Sequence, residues 1–174
     1  MPLDRRLIAL LAAPMALTLA PAPVQAQDKE EVRVTDKDDH GEVDRIEMVA
    51  EDDPVMNAAI AEARETLPQW LAVLENPPAG VDYVVFKFPL SGWEHIWVDN
   101  VTRNGDMLTG TLANHPMQDD WEFGDSVTVS LSEVSDWGYW TGDVATGYRT
   151  MAVIIDRVSP AEAAQLRRQL GWAE

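Results

Sequence analysis

The dipeptide Asn104-Gly105 constrains the fold most tightly, because this pair favours a two-residue turn between antiparallel strands. Apolar and polar side chains alternate on both sides of it, in WEHIWVDNV (93–101) and MLTGTLA (107–113). The same strand-like pattern occurs in three more segments, at 81–88, 125–131 and 148–155. The sequence therefore predicts a mainly antiparallel, curved sheet of about five strands.

Helical patterns lie on both sides of the strand region. Asp53-Pro54 gives an N-cap followed by proline at the first helical position, and apolar residues then recur at intervals of three and four. Because Pro68 interrupts this pattern, it predicts two short helices, about 54–66 and 68–75. A capping box from Ser159 to Glu162 predicts a C-terminal helix. Together these elements indicate a single α+β domain over residues 54–174.

The first 26 residues have the pattern of a secretory signal peptide. Arg5 and Arg6 precede an apolar run at 7–20, and the small residues Val24 and Ala26 stand at the −3 and −1 positions of a cleavage site. The run is short for a bilayer span, so we expect no membrane span after cleavage. A periplasmic or secreted bacterial protein is expected, and with no cysteine its fold contains no disulfide.

The charge balance narrows the class of partner. The chain has 30 acidic and 13 basic residues and a formal net charge of −17. Nucleic acid is excluded as a partner because phosphate binding requires a basic surface. An acidic body attracts basic molecules, so an unknown protein or another cell-envelope ligand is the expected partner.

Residues 27–53 are rich in charge and poor in large apolar side chains, which predicts a flexible acidic arm. Within the arm, DKDDHGEVDRIE (36–47) nearly fits the spacing of a twelve-residue calcium loop. His40 stands where an oxygen ligand is expected. Calcium binding is therefore an alternative hypothesis, and no other cofactor is indicated. The candidate ligands are Asp36, Asp38, Asp44 and Glu47.

The segment GWEHIW (92–97) places a carboxylic acid beside a histidine. Side chains alternate across a strand, so Trp93, His95 and Trp97 share one face while Glu94 and Ile96 share the other. Glu94 and His95 therefore point apart and do not form an acid–base couple. The face that carries the two indoles is the candidate for recognition.

Several segments together resemble the YegJ-like family, domain of unknown function 2314. They are DDPVMNAAIAEARETLPQWLAVLENPP, VVFKFPL, WEHIWVDNV, GTLANHP, GDSVTVSLSEVSDWGYW and GYRT, and the similarity spans roughly residues 46–155. The family has no established activity, so the resemblance implies the domain and its extent but no reaction. This sequence reads TGYRT where the family usually has G-G-Y-T. The positions at family motifs are Glu94, His95, Trp97, Asn114, Pro116, Gly124, Asp136, Trp137, Gly147, Tyr148 and Arg149.

Two functions from different classes remain open. The first is a non-catalytic binding module, since tryptophan is concentrated between residues 93 and 140 and aromatic side chains make good anchors. The same tryptophans could instead fill the core. The second function is a cell-wall hydrolase, which requires Glu94 and Asp136 to face one cleft. The candidate binding residues are Trp93, His95, Trp97, Trp137, Tyr148 and Arg149.

Overall fold

The structure is a computed structural model that describes residues 52–172. The predicted signal peptide and calcium loop, and all but the end of the predicted arm, lie outside the described residues. Three α-helices are present in this part of the chain: α1 (Pro54–Glu75), α2 (Arg149–Ile155) and α3 (Pro160–Gln169). The strands are β1 (Val81–Leu90), β2 (Glu94–Asn104), β3 (Met107–Leu112), β4 (Ser126–Ser130), β5 (Asp136–Thr141) and β6 (Val144–Gly147).

All six strands form one antiparallel sheet in the order β4-β3-β2-β1-β5-β6. The predicted hairpin is confirmed, because β2 ends at Asn104, β3 begins at Met107, and these two residues are paired. The predicted α+β class with a mainly antiparallel sheet is confirmed as well. No helix within residues 52–172 combines the length and the hydrophobicity that crossing a membrane requires.

The two faces of the sheet carry separate hydrophobic clusters, which follow from the alternation of side chains along each strand. On the α1 face, Phe86, Ile96 and Val98 pack against Leu67 and Trp70 of the helix. On the α2 face, the buried cluster contains Val85, Ala145, Tyr148, Ile155, Ala163 and Leu170. The sheet is therefore covered on both sides, by α1 on one and by α2 and α3 on the other.

The prediction of two short N-terminal helices is wrong, because α1 runs unbroken through Pro68. The ring of Pro68 removes a main-chain donor from the helix. However, Pro68 is exposed, and the buried residues Ala63, Leu67 and Trp70 lie on the same side of the helix before and after it. Packing of this continuous apolar stripe on the sheet outweighs the lost hydrogen bond.

The segment 148–155 is a helix rather than the predicted strand. Gly147 and Tyr148 both have positive φ values, 91° and 54°, and this turns the chain out of β6. The carboxylate of Asp136 then accepts hydrogen bonds from the first amides of α2, which fixes a helix on residues of high strand propensity. The sequence pattern does not predict strands β5 and β6, since β6 has only four residues and Gly138 interrupts the side-chain pattern of β5.

Two irregular pairings bend the sheet. The β1–β5 register shifts between Asp82 and Val85, and the β2–β3 register shifts between Asp99 and Thr102. Tyr83 and Asn100 have positive φ values of 43° and 50° inside these shifts. Such bulges bend a strand and increase its local twist, which gives the curvature that the sequence predicts.

Gly138 gives a direct test of the packing on the α2 face. A Cβ atom built at this position would lie 2.2 Å from the ring of Tyr148, and Gly138 does not have a positive φ. We expect Gly138→Ala to lower the free energy of unfolding by about 2 kcal/mol, because the ring must shift. Urea denaturation measures this change.

The Tyr148→Leu background is the control for the Gly138 prediction, because it removes the ring that the new methyl group meets. In this background Gly138→Ala should have a much smaller effect on unfolding. An equal loss in both backgrounds would show that contact with Tyr148 is not the reason for glycine at this position.

Candidate functional site

The six predicted binding residues do not form one surface. Trp93 is 52% exposed in the turn between β1 and β2, and His95 is exposed at the start of β2. Trp97 and Tyr148 belong to the cluster on the α2 face. Trp137 belongs to the cluster on the α1 face, and the guanidinium of Arg149 covers its ring. The predicted single aromatic face is therefore corrected to three separate locations.

Trp97 and Tyr148 are packing residues. Their ring centroids are 4.8 Å apart, and the hydroxyl of Tyr148 accepts a hydrogen bond of 3.0 Å from Nε1 of Trp140. Burial raises the pKa of Tyr148 above its ordinary value, which agrees with its place under the helices. Trp97 and Tyr148 therefore fill the core, which was the alternative to a recognition surface.

A buried polar row crosses the middle of the α2 face. Lys87 is paired across the strands with Trp97 on one side and with Asp136 on the other. The Nζ atom of Lys87 lies 3.4 Å from Oγ1 of Thr150 and 5.2 Å from the Trp97 ring centroid. Lys87 is only 9% exposed, Asp136 is fully buried, and Thr150 is 2% exposed. These groups therefore satisfy one another inside the protein.

The carboxylate of Asp136 accepts four hydrogen bonds. Its Oδ1 atom accepts from the main-chain N–H groups of Trp137 (2.8 Å) and Arg149 (3.2 Å). Its Oδ2 atom accepts from the main chain of Thr150 at 2.8 Å and from the hydroxyl of Thr150 at 2.6 Å. Burial raises the pKa of Asp136, and the Thr150 bonds and the Lys87 charge oppose that rise. Asp136 is thus the cap of α2, supplied from a strand.

His95 forms a pair with Ser135, in which Nδ1 lies 2.8 Å from Oγ. The imidazole is exposed as a whole, but this side of the ring faces Ser135, which is fully buried. Burial, followed by the charges of Lys87 and Arg64, lowers the pKa of His95 to about 4. The ring is therefore neutral at physiological pH. The Ser135 hydroxyl is sealed from solvent and does not present a nucleophile.

Glu94 lies on the α1 face, as the alternation predicts, and holds the long loop between β3 and β4. Its Oε1 atom accepts from the Met117 main chain at 2.8 Å, and its Oε2 atom accepts from Nε2 of Gln118 at 3.0 Å. Asn114 contributes at the start of the loop, because its Oδ1 atom accepts from the Trp97 main chain at 3.3 Å. Both family-motif residues thus position this loop.

The two carboxylates of the hydrolase hypothesis are on opposite faces of the sheet. Glu94 shares the α1 face with Ile96, whereas Asp136 shares the α2 face with Lys87. Each carboxylate is buried and already hydrogen-bonded to the main chain. They do not face a common cleft, so this geometry does not support hydrolysis by the pair.

We call the exposed apolar side chains of two neighbouring segments the apical patch; the segments are the β1–β2 turn and the β3–β4 loop, which Glu94 and the Leu90 carbonyl join at the end of the sheet. Seven large apolar side chains in the described part of the chain are at least 40% exposed, and three of them are here. Trp93 is in the β1–β2 turn, and the other two are in the β3–β4 loop, where His115 contacts Phe123 at 5.2 Å between ring centroids. The apical patch consists of Trp93, His115, Met117 and Phe123.

A groove of about 360 Å³ lies between α1 and the strands β5 and β6, and we call it the α1–β6 groove. The rings of Trp137 and Tyr139 are parallel within 3°, with centroids 6.4 Å apart. Arg149 donates to Oε1 of Glu62 through Nε at 3.0 Å. The lining residues are Glu62, Gln69, Val73, Trp137, Tyr139, Thr146, Gly147 and Arg149.

Sequence reasoning missed several residues of these surfaces. Lys87, Ser135 and Thr150 lack a local motif, because they meet only when β1, β5 and α2 come together. Met117 and Phe123 carried a usable signal, since they are large apolar residues within a loop otherwise rich in acidic side chains. Glu62 and Tyr139 gave no sequence signal, because Glu62 pairs with Arg149 at the start of α2, and Tyr139 stacks on Trp137 within β5, and neither element is predicted.

Comparison with known proteins settles the family. Residues 53–173 match the family model described as an uncharacterized protein conserved in bacteria, DUF2314. The chain belongs to the DUF2314 family. It is also 28% identical over 123 residues to the uncharacterized protein YegJ of Escherichia coli strain K12. That match covers 68% of this chain and 79% of YegJ. No solved structure matches the chain significantly. The resemblance seen in the sequence motifs is thereby confirmed.

The depressed pKa of His95 makes a pH-dependent contribution to stability. Because the pKa is about 4 in the folded protein and 6.5 in the reference state, the unfolded chain binds the proton first. This contribution to the free energy of unfolding is present above about pH 6.5 and is lost as the pH falls towards 4. When the pH is lowered from 7 to 4.5, we expect the free energy of unfolding to fall less in His95→Gln than in the wild type.

Urea denaturation at these two pH values measures the His95 effect. His115→Gln is the matched control. His115 lies in the β3–β4 loop and contacts the Phe123 ring, whereas His95 is the histidine that bonds to Ser135. The control should keep the pH dependence of the wild type. An unchanged pH dependence in His95→Gln would contradict the assignment.

Proposed function

We propose that this chain is an exported bacterial interaction module, without catalytic activity, that contacts a basic protein partner through the apical patch. The main support is that Trp93, Met117 and Phe123 are 40–57% exposed. They lie on two loops that the buried carboxylate of Glu94 holds together. Exposed aromatic and methionine side chains of this kind are typical anchors of protein interfaces. The signal-like residues 1–26 support export.

Hydrogen bonds fix the conformation of the β3–β4 loop, and this supports a role of the loop in binding a partner. Besides the two hydrogen bonds to Glu94, the loop is closed by main-chain bonds of 2.9 Å from Leu112 to Asp125 and from Gly124 to Leu112. A loop held in this way presents its apolar side chains in fixed positions, so less conformational entropy is lost on binding. Long loops of this kind commonly carry function.

The charge around the patch supports a basic partner. Asp119, Asp120 and Glu122 are exposed between Met117 and Phe123, and the whole chain has a formal net charge of −17. Acidic side chains at the rim of an apolar contact attract a partner with lysine or arginine and repel an acidic one. We therefore expect the interaction to weaken as the salt concentration rises.

The buried positions of the polar groups favour binding over catalysis. Ser135 and Asp136 are fully buried, and Glu94 is 8% exposed. Each already has hydrogen-bond partners within the fold, as described above. A group that attacks or protonates a substrate must reach it, and these three do not reach solvent in this arrangement.

Site-specific photo-crosslinking tests the proposed surface. The photoreactive residue p-benzoylphenylalanine is placed at position 93 or 123 of the otherwise unchanged protein, which is then irradiated in an extract of bacterial envelopes. We expect covalent adducts with a basic protein at both positions, and we expect them to decrease at raised salt. Mass spectrometry of the adducts gives the identity of the partner.

The same photoreactive residue at position 144 is the matched control. Val144 is 49% exposed, which is similar to Trp93, but it lies at the turn between β5 and β6. Absence of adducts at 93 and 123, or identical adducts at 144, would contradict the proposed surface. Adducts with acidic partners would contradict the proposed charge preference.

A further inference from the structure

The α1–β6 groove contains a polar atom that the fold leaves unpaired. The Nη1 atom of Arg149 is buried and has no hydrogen-bond partner among the described residues. The same guanidinium is held on two other sides, by Glu62 at Nε and by the Trp137 ring, which lies 4.5 Å away from Cζ. Buried donors without an acceptor are rare in folded proteins. The Arg149 side chain as a whole is 18% exposed and lines the groove, so a small rotation of the guanidinium lets a ligand supply the missing acceptor.

The groove is elongated along α1. Its helical wall includes Glu62, Gln69 and Val73, and the first and last of these lie eleven positions apart on one helix. At 1.5 Å per residue this wall is about 16 Å long. An extended polypeptide advances about 3.3 Å per residue, so about five residues fit along the groove.

The opposite wall is the edge of the sheet, where the C-terminal segment already uses the main-chain groups of Ala145. Ala145 donates to the carbonyl of Leu170 at 2.9 Å, and its own carbonyl accepts from Nε1 of Trp172 at 2.8 Å. Both groups of Ala145 therefore face away from β5. Because orientation repeats every two residues along a strand, the main-chain N–H of Gly147, the last residue of β6, faces the same edge, beside the groove.

Gly147 is required for this arrangement. A Cβ atom at this position would lie 2.2 Å from the carbonyl oxygen of Trp137 and 2.7 Å from its ring. The absence of a side chain lets the strand edge approach the aromatic floor. Gly147 is half-buried and lines the groove.

We propose that the α1–β6 groove is a second binding site, separate from the apical patch, that takes an extended polypeptide segment of about five residues. A main-chain carbonyl of the segment accepts from Nη1 of Arg149, and an apolar side chain of the segment packs on Tyr139. Glu62 and the acidic body select against segments with aspartate or glutamate.

The groove favours a peptide over a saccharide. Its length matches an extended chain, as in other grooves that bind extended peptides. The exposed face for sugar stacking is small, because Trp137 is only 3% exposed and Arg149 covers its ring. Saccharide binding is therefore treated as a competing outcome in the test.

The test uses the full mature chain and a phage-displayed library of random octapeptides. Enriched peptides are synthesised and titrated by isothermal calorimetry. We expect enrichment of peptides that lack acidic residues, and we expect Arg149→Lys to weaken their binding at least tenfold. Lysine keeps the positive charge beside Glu62 but has no atom equivalent to Nη1.

A second variant tests the groove without changing Arg149. Thr146 is exposed and lines the groove, so Thr146→Trp fills the space without altering the core. It should also weaken peptide binding at least tenfold, while Trp93→Ser in the apical patch should leave it unchanged. Thermal unfolding of each variant shows that the fold is kept.

Three outcomes would overturn the proposal. The first is that no peptide is enriched. The second is that enriched peptides bind Arg149→Lys and Thr146→Trp as tightly as the wild type. The third is that a β-1,4-linked tetramer of N-acetylglucosamine binds instead and is lost in Thr146→Trp, which would assign the groove to a saccharide.

Discussion

The fold depends on one buried carboxylate. Asp136 is fully buried at the start of β5 and accepts four hydrogen bonds, three of them from α2. A carboxylate in a place without water is unfavourable unless its oxygen atoms are paired, and here both are paired. The N-terminus of a helix adds partial positive charge to the same site, and Lys87 adds a full charge from the next strand. The strand and the helix therefore stabilise each other.

The two surfaces described above have different relations to this carboxylate. Arg149 is the first residue of α2, so the cap that starts the helix also places the guanidinium over Trp137. The α1–β6 groove thus depends on Asp136. The apical patch depends instead on Glu94, which binds the β3–β4 loop on the other face of the sheet. Two buried acids, one for each face, position the two surfaces in this acidic protein.

The sequence was sufficient wherever local chemistry decides the structure. Asn104-Gly105 located the hairpin, and alternation along β2 placed Glu94 on the opposite face from His95. It was insufficient where tertiary contacts outweigh local preference. Residues 148–155 have strand propensity but form a helix under the Asp136 cap, and Pro68 remains inside α1 because residues on either side of it are packed.

The candidate site was predicted less well than the fold, for a related reason. Alternation states which side chains share a face of a strand, but not what covers that face. Trp97 does lie on the same face as His95, yet α2 and α3 cover it, and Tyr148 packs against its ring. The position of Arg149 over Trp137 depends on α2, which was predicted as a strand. Exposure is thus a property of the assembled layers.

The most direct test of the role of Asp136 is to replace it by asparagine, which keeps the size but removes the charge and one acceptor. The free energy of unfolding should fall by about 2–4 kcal/mol. Amide hydrogen exchange at Arg149 and Thr150 should become faster, while Asp120→Asn in the exposed β3–β4 loop should alter neither property. A stability within about 0.5 kcal/mol of the wild type, with unchanged exchange at these amides, would contradict the account.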